Sequence, residues 1–460
     1  MSTQHFAPSG AEATPAVPRR IAIVYRELAT LKLDPHNPRV HSKKQIEQIA
    51  RSIRAFGFNV PILINAQNKI LAGHGRILAC RQLGWSEVPT IMLEHLTPEQ
   101  AQAFLIADNK LTENASWDEQ LLAQQLQALC AAQLDFSIEA TGFEIAEIDL
   151  LIDNLTPAAE GENDPADALP SAGPAVTQPG DVWLAGPHRT LCANALEPSS
   201  YIALLAARKA QVVIADPPYN VKVSGHVCGK GAIQHREFAM ASGEMDSDSF
   251  SAFLTQVCAL LAQHSADGSL HYLFIDWRHL PEILHAGARA YSELKGLCVW
   301  VKDNGGMGSL YRSQHELILV WKSGRAPHRN NVQLGQFGRN RTNVWHYPGV
   351  NSFARHTEEG NLLALHPTVK PVALVADALL DCSARGDIVL DPFLGSGTTL
   401  IAAERTGRVC YGLELDALYV DTIIRRWQRY TGLVARLESS GEGFDEVEQS
   451  RAAVAEVCHD

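Results

Sequence analysis

The sequence predicts an α/β protein: a doubly wound domain whose parallel or mixed sheet is covered on both faces, preceded by a smaller α+β module. Three observations predict it. Between about 180 and 437, apolar strand-like runs alternate with amphipathic helix-like ones, the pattern of a sheet buried on both sides. Two of those strands stop abruptly in Asp-Pro, at Asp216-Pro217 and Asp391-Pro392, at the edge where open α/β sheets bind ligands. A stretch without periodicity, TPAAEGENDPADALPSAGPAVTQPG at 156–180, divides this half from the first.

Taken in order, the N-terminal module at 20–118 holds LDPHNPRVHSKKQIEQIARSIRAFGFNVPILI and KILAGHGRILACRQLGWSEVPTIML. Gln45 to Ala55 has helical spacing, followed by a β-like PILI and a hairpin into ILAGHGR. Residues 119–155 read as a helical extension. The Pro-, Ala- and acid-rich 156–179 reads as an extended, flexible linker with no apolar face to pack the halves together. In the second half, strands are expected at 212–216, 271–276, 296–303, 316–322, 387–391 and 409–415, and helices at 250–264, 371–383 and 418–432. The acidic stretch 438–460 is expected to be a disordered tail or a frayed helix.

Composition narrows the function classes. The chain has 460 residues, enough for two or three cores. No apolar run approaches the roughly 18 residues of a membrane span, and the first twenty residues lack the apolar segment of a signal peptide. A cytoplasmic protein without a membrane partner is therefore expected. Nine scattered cysteines with no CxxC pair suggest free thiols, and neither a disulfide framework nor a metal site. The net charge of −12 looks unsuited to a nucleic-acid partner, but residues 119–180 and 438–460 together carry −17, leaving +5 for the rest. The acidity is local, and DNA binding stays open.

Two strand ends carry the chemistry. In VVIADPPYNV, at 212–221, two prolines remove two donors and fix φ, so the strand stops and leaves the Asp216 carboxylate and the Tyr219 ring at its carboxyl end. In DIVLDPFLGSGTTL, at 387–400, Asp391 and Pro392 close the strand, Gly395-Ser396-Gly397 turn tightly, and a helix starts at Thr398. Such a turn lets backbone approach a ligand. The next strand ends in Gly412-Leu413-Glu414-Leu415-Asp416, where Glu414 can accept bonds from both ribose hydroxyls of a nucleoside. Neither a GK[ST] signature nor GxGxxG spacing is present. A nucleoside cofactor without phosphates fits, and S-adenosylmethionine is the common one.

With HPTVKP at 366–371 as a fourth motif, the second half resembles the amino-group DNA methyltransferases of the circularly permuted beta type, across about 250 residues. The resemblance implies a Rossmann-like methyltransferase sheet, S-adenosylmethionine as cofactor and double-stranded DNA as partner. It implies methyl transfer to the exocyclic N6 of adenine, because Asp rather than Ser leads the DPPY tetrapeptide. Asp216, the Pro217 carbonyl and Tyr219 are then the catalytic groups. Asp391, Phe393, Gly395, Gly397, Thr398, Glu414, His366 and Thr368 are implied around the cofactor, and Lys370 on the cofactor or the catalytic loop. Asn194, in CANAL, stands where the family commonly has an Asp. The family places target recognition between the last sheet strands and HPTxKP. Here 302–356 is net +6, and Arg312, Arg325, Arg329, Arg339, Arg341 and Trp345 are the residues expected on DNA.

The first module resembles the ParB/sulfiredoxin-like N-terminal domain, through Asn37-Pro38-Arg39 and Gly73-His74-Gly75-Arg76-Ile77-Leu78-Ala79. The second box lacks the cysteine of sulfiredoxins and keeps one of the two arginines with which ParB proteins bind CTP. No helix-turn-helix domain is read after it. A structural or DNA-contacting role is therefore expected, through Lys43, Lys44, Arg51, Arg54 and Arg76. Other readings are a cytosine-N4 enzyme, an RNA methyltransferase, or a partition-type DNA-binding protein whose methyltransferase half is inactive. Recognition sequence, restriction partner and oligomeric state, a homodimer included, are not read from the chain.

Overall fold

A computed structural model describes residues 21–155, 164–170, 173, 175–220, 243–305, 310–336, 338–349 and 369–457. They divide into two compact units, with the boundary between Glu144 and Ile145. No helix among the described residues is long and apolar enough to cross a membrane.

The first unit contains β1 (Ile23–Glu27), α1 (Lys43–Phe56), β2 (Ile62–Ile64), β3 (Ile70–Ala72), α2 (His74–Gln82), β4 (Glu87–Met92), α3 (Pro98–Glu113) and α4 (Glu119–Ala131). Its mixed sheet has the order β1-β4-β2-β3. Helix α1 starts where the Ser42 side chain accepts the Gln45 N–H and ends at Gly57, φ 82°. Its stripe of Ile46, Ile49, Ala50 and Ile53 packs on Ile62, Ile64 and Ile70, as the spacing predicts.

The second unit contains α5 (Ile145–Asp153), β5 (Val182–Ala185), β6 (His188–Cys192), α6 (Pro198–Leu205), β7 (Ala210–Ala215), α7 (Ser247–Gln263), β8 (Ser265–Ile275), α8 (Leu280–Ala290), β9 (Glu293–Val301), β10 (His315–Lys322) and β11 (Val344–His346). After these come α9 (Val372–Cys382), β12 (Ile388–Asp391), α10 (Thr398–Thr406), β13 (Val409–Glu414), α11 (Ala417–Thr431), β14 (Arg436–Leu437) and α12 (Phe444–Val457). Ten strands form one sheet, in the order β11-β9-β10-β8-β7-β12-β13-β6-β5-β14. The centre, β8-β7-β12-β13-β6, is parallel. Side chains along β7 alternate between two cores: Val212 and Ile214 join α9, α10 and α11, whereas Val213 and Ala215 join α6, α7 and α8. Each fully buried aliphatic chain of this kind contributes about 1.5–3 kcal/mol. The doubly wound sheet is the one expected.

The direction of winding reverses between β7 and β12. From β7 the chain crosses through α7 to β8 on one side, and from β12 through α10 to β13 on the other. A crevice opens at the carboxyl ends of such a strand pair. Asp216 and Asp391 lie there.

Two expectations fail. The acidic stretch 156–180 is no free linker where it is described: Ala166, Leu169 and Val176 are buried. The Asp421 carboxylate of α11 accepts the Val176 and Thr177 N–H groups at 2.7 and 2.9 Å. Asp167 accepts the Val372 N–H at the start of α9, 2.7 Å away, and Asp164 pairs with Arg405. Acids that looked merely solvated have partners far along the chain. The segment is thus a strap on the second unit, which also takes α5, while α4 goes with the first unit. The acidic tail likewise forms α12, whose Phe444 is buried with its ring 5.0 Å from Trp183.

Candidate active site

The carboxyl end of β7 delivers Asp216 half-buried, with Pro217 buried behind it. Asp216 Oδ1 accepts the Tyr219 hydroxyl at 2.6 Å, and Oδ2 accepts Lys370 Nζ at 2.5 Å. Burial raises the Asp216 carboxyl, and Lys370 opposes that rise. The 7 % exposed Lys370 side chain lies over the Tyr219, Phe274 and Trp300 rings at 5.4–5.9 Å. Burial would lower the Lys370 ammonium, but Asp216 and Glu316 raise it. Lys370 thus faces Asp216 as its nearest cation, while burial and the neighbouring Glu316 keep the Asp216 carboxyl above its ordinary range.

Glu316, at the start of β10, completes the cluster. Its Oε2 lies 3.1 Å from the Tyr219 hydroxyl and 3.2 Å from Lys370 Nζ, and its Oε1 takes Lys302 Nζ at 2.5 Å. Burial alone would raise it, but Lys370 and Lys302 hold it at about 2. Sequence reasoning missed Glu316, counting it only as an offset to basic charge. The available signal was a lone acid opening the otherwise apolar run ELILVW. Asn220 was missed as well. At φ 54°, a left-handed conformation that Asn tolerates, it donates to Met245 O at 2.7 Å and accepts Gly243 and Met245 N–H at 3.1 Å. It thereby ties the turn after β7 to the residues just ahead of α7.

On β12, Asp391 accepts the Phe393 N–H at 2.9 Å and the Thr399 hydroxyl at 2.6 Å, and burial pushes it to about 7. Gly395 and Gly397 have φ of 53° and 84°, so the turn needs glycine. Glu414, at the end of β13, accepts the Gly395 and Asp416 N–H groups at 2.8 and 2.9 Å and is pushed to about 7 by burial. Both oxygens are thus held by backbone N–H groups, with Leu415 adding a further one. Arg426, buried beneath, donates to Ser396 O at 3.0 Å and Ala166 O at 2.8 Å and ties the strap to the glycine turn. Thr398 is tied inward to Lys370 O at 3.1 Å. Asn194 accepts the Leu196 N–H at 2.9 Å, folding its own turn beside β13. Lys370, expected on the cofactor or on the catalytic loop, lies on Asp216 of that loop. His366 and Thr368 fall outside the described residues.

The basic stretch is split by the sheet. Strand β10 runs antiparallel to β8, from Leu317 opposite Ile275 to Lys322 opposite Leu270. Its start is therefore at the Asp216 edge and its end roughly 25 Å away, at 3.3 Å per residue. Arg312 precedes β10 and lies at the Asp216 edge. Arg325 and Arg329 follow β10 and lie at the opposite edge, Arg329 near Asp387 ahead of β12. Arg339 and Arg341 pair with Asp377 and Asp381 of α9 at 2.9–3.2 Å. Trp345 is buried against Tyr272, ring centres 6.3 Å apart. The expected single DNA-facing surface is thus not formed. Three of its members pin the segment to the core.

Among the first unit's expected DNA contacts, Lys44 pairs with Glu144 and Arg51 with Glu139, each at 3.5 Å, and Arg54 with Glu47 at 3.4 Å. Arg76 donates to Val60 O at 2.5 Å. His74, read as part of a hairpin into ILAGHGR, is buried in the first turn of α2.

Comparison with known proteins follows this division. A DNA methylase family model, of the N6/N4 class, matches residues 210–425, and a ParB N-terminal domain model matches 18–109. A ParB-methyltransferase HTH domain model matches 120–179, which overturns the expectation that no helix-turn-helix follows the first module. Its reach into the acidic strap, read as linker for want of periodicity, explains why it was missed. YnaK of Escherichia coli, a ParB-like nuclease domain-containing protein, is 45% identical over 83 residues, 18% of this chain and 95% of its own length. The DNA adenine methyltransferase YhdJ of the same organism is 27% identical over 254 residues, 48% of this chain and 77% of its own. The crystal structure of an M1.HpyAVI–SAM complex shares 21% identity over 52% of this chain and 97% of that one, with a TM-score of 0.37. Residues 210–425 thus carry an N6/N4 DNA methylase domain, with a ParB N-terminal domain ahead of it at 18–109.

Proposed function

We propose that the protein transfers a methyl group from S-adenosylmethionine to the exocyclic N6 of adenine at a specific sequence in double-stranded DNA, in the cytoplasm. One observation carries this reading: a carboxylate paired with Lys370 stands at the carboxyl end of β7, beside the strand bearing the glycine turn. S-adenosylmethionine, when bound, supplies an electrophilic methyl group. Glu414 holds its ribose hydroxyls. The turn around Gly395 and Gly397, shaped by Asp391, lets backbone approach the nucleoside, with Phe393 and Asn194 at its borders.

An adenine amino group is a weak nucleophile because its lone pair is delocalised into the ring. Asp216 and the Pro217 carbonyl accept its two hydrogens and favour the pyramidal form. Tyr219 stacks on the extruded base. Extrusion costs a few kcal/mol, and stacking returns about 1–3 kcal/mol. Positioning in line with the methyl group is then the main catalytic contribution.

The leading Asp of the tetrapeptide and the relative YhdJ favour adenine over cytosine-N4. The first unit adds DNA affinity. Purified protein should be incubated with S-adenosylmethionine and unmethylated duplex DNA or RNA, and the digested nucleosides analysed by mass spectrometry. N6-methyldeoxyadenosine is the expected product. N4-methyldeoxycytidine alone, or product from RNA alone, sinks the adenine-in-DNA reading.

A further inference from the structure

The buried cluster at the β7 edge holds one more carboxylate than a transfer through Asp216 needs. Asp216 and Glu316 are joined twice, by the Tyr219 hydroxyl at 2.6 and 3.1 Å and by Lys370 Nζ at 2.5 and 3.2 Å. The four groups close a ring. Tyr219 has a single hydroxyl hydrogen to share, and one ammonium serves both carboxylates. Lys302, stacked 4.6 Å from the Trp300 ring, neutralises the outer Glu316 oxygen. As a stability device this is poor, since buried ion networks rarely outperform apolar packing. Its effect falls on Asp216.

We propose that Glu316 is a positioning residue for methyl transfer. By sharing Lys370 and Tyr219 with Asp216, it keeps the Asp216 carboxylate turned toward the target amine and only partly neutralised, hence a strong acceptor. The inference rests on the methyl-transfer reading above. Without the Glu316 charge, the Lys370 ammonium settles wholly on Asp216, which becomes more acidic and a weaker acceptor. The charged and titratable groups around Asp216 are Tyr219 of its own turn, Lys370 ahead of α9, Glu316 of β10 with Lys302 of β9 behind it, and Asp391 of β12.

Two variants test this in the full-length protein. Glu316→Gln removes an anion and should move the Asp216 titration to lower pH; Lys302→Met removes a cation and should move it to higher pH. The titration is read by carbon-13 NMR of carboxyl-labelled aspartate in protein free of S-adenosylmethionine, with the resonance assigned through Asp216→Asn. In the methylation assay, Glu316→Gln should lower kcat roughly tenfold to a hundredfold, the scale of a displaced catalytic group. KM for DNA and Kd for S-adenosylmethionine should stay within about threefold, so that the loss is confined to the transition state. Unmoved titrations, or shifts of the two variants in one direction, overturn the proposal. So does a Glu316→Gln protein whose kcat is unchanged, or whose kcat and cofactor affinity fall together. Wild-type protein inactive on DNA would instead defeat the methyl-transfer reading, while the NMR titrations still report on the Glu316–Asp216 coupling.

Discussion

Two strands of the central sheet end in the same dipeptide, and the surroundings give it opposite tasks. At the end of β12, Asp391 turns inward and is satisfied within eight residues by Phe393 N–H and Thr399. It builds the glycine turn. At the end of β7, Asp216 finds its cation 154 residues away, on Lys370, and its phenol is shared with a carboxylate on another strand. It stays half-exposed at the crevice. An Asp-Pro strand end is therefore a local device where its oxygens are used up nearby, and part of a wider charge network where distant chain supplies the counter-charge.

Removing each side chain sharpens the contrast. The largest effect is expected for Asp216→Ala, which should abolish methyl transfer while leaving S-adenosylmethionine binding, measured by calorimetry, nearly intact. Asp391→Ala should do the reverse. Two buried donors lose their acceptor, at about 1–3 kcal/mol each, so melting temperature and cofactor affinity fall while kcat at saturation changes little. Wild-type stability with lost kcat would merge the two roles. Glu414→Ala should weaken cofactor binding by about 1–3 kcal/mol. Because its carboxyl sits near 7, it is ionised above that pH and protonated below. Cofactor affinity should therefore rise as pH rises through 7, with a flatter profile in Glu414→Gln. The smallest effect separates the edges of the sheet. Arg312→Ala should reduce the salt slope of DNA binding by about one, and Arg325→Ala should leave it unchanged. Equal slopes would return the far edge to the DNA surface.

Much of this was legible in the sequence because it is local. Strand, Asp-Pro, glycine turn, helix and strand-end Glu414 are consecutive, and each follows from backbone chemistry within about thirty residues. What stayed hidden depends on contacts across the fold. Glu316 gains meaning only when β10 lies antiparallel to β8 and brings its start to the Asp216 edge. The same reversal carries Arg325 and Arg329 away, and no count of positive charge could foresee that. The strap at 164–178 looked like linker because its apolar residues are few and aperiodic. Its anchors, Asp421, Arg405 and the N–H of Val372, lie more than two hundred residues downstream. A chain begun at Gln178 would keep every motif yet lose these contacts, and would lose Asp149, which pairs with the buried Arg408 at 2.8 Å. It should be less stable than a chain begun at Ile145 by about 3–5 kcal/mol for the stranded guanidinium alone, a difference that urea denaturation would read.

The strand order also sets a timetable for synthesis. Strand β6 has β13 as its parallel neighbour, with Cys192 opposite Glu414, and β5 takes β14 as its outer partner. The first strands of the second unit cannot complete the sheet until the last have left the ribosome, roughly 10–40 s later at 5–20 residues per second. The first unit closes its own sheet by Met92 and can fold early. During that interval β5 and β6 expose unpaired edges, which are templates for aggregation, and their distant pairing makes folding slow. The growing chain is then most vulnerable with the ParB-like unit formed and the methylase sheet half-built, the stage at which a chaperone would matter most.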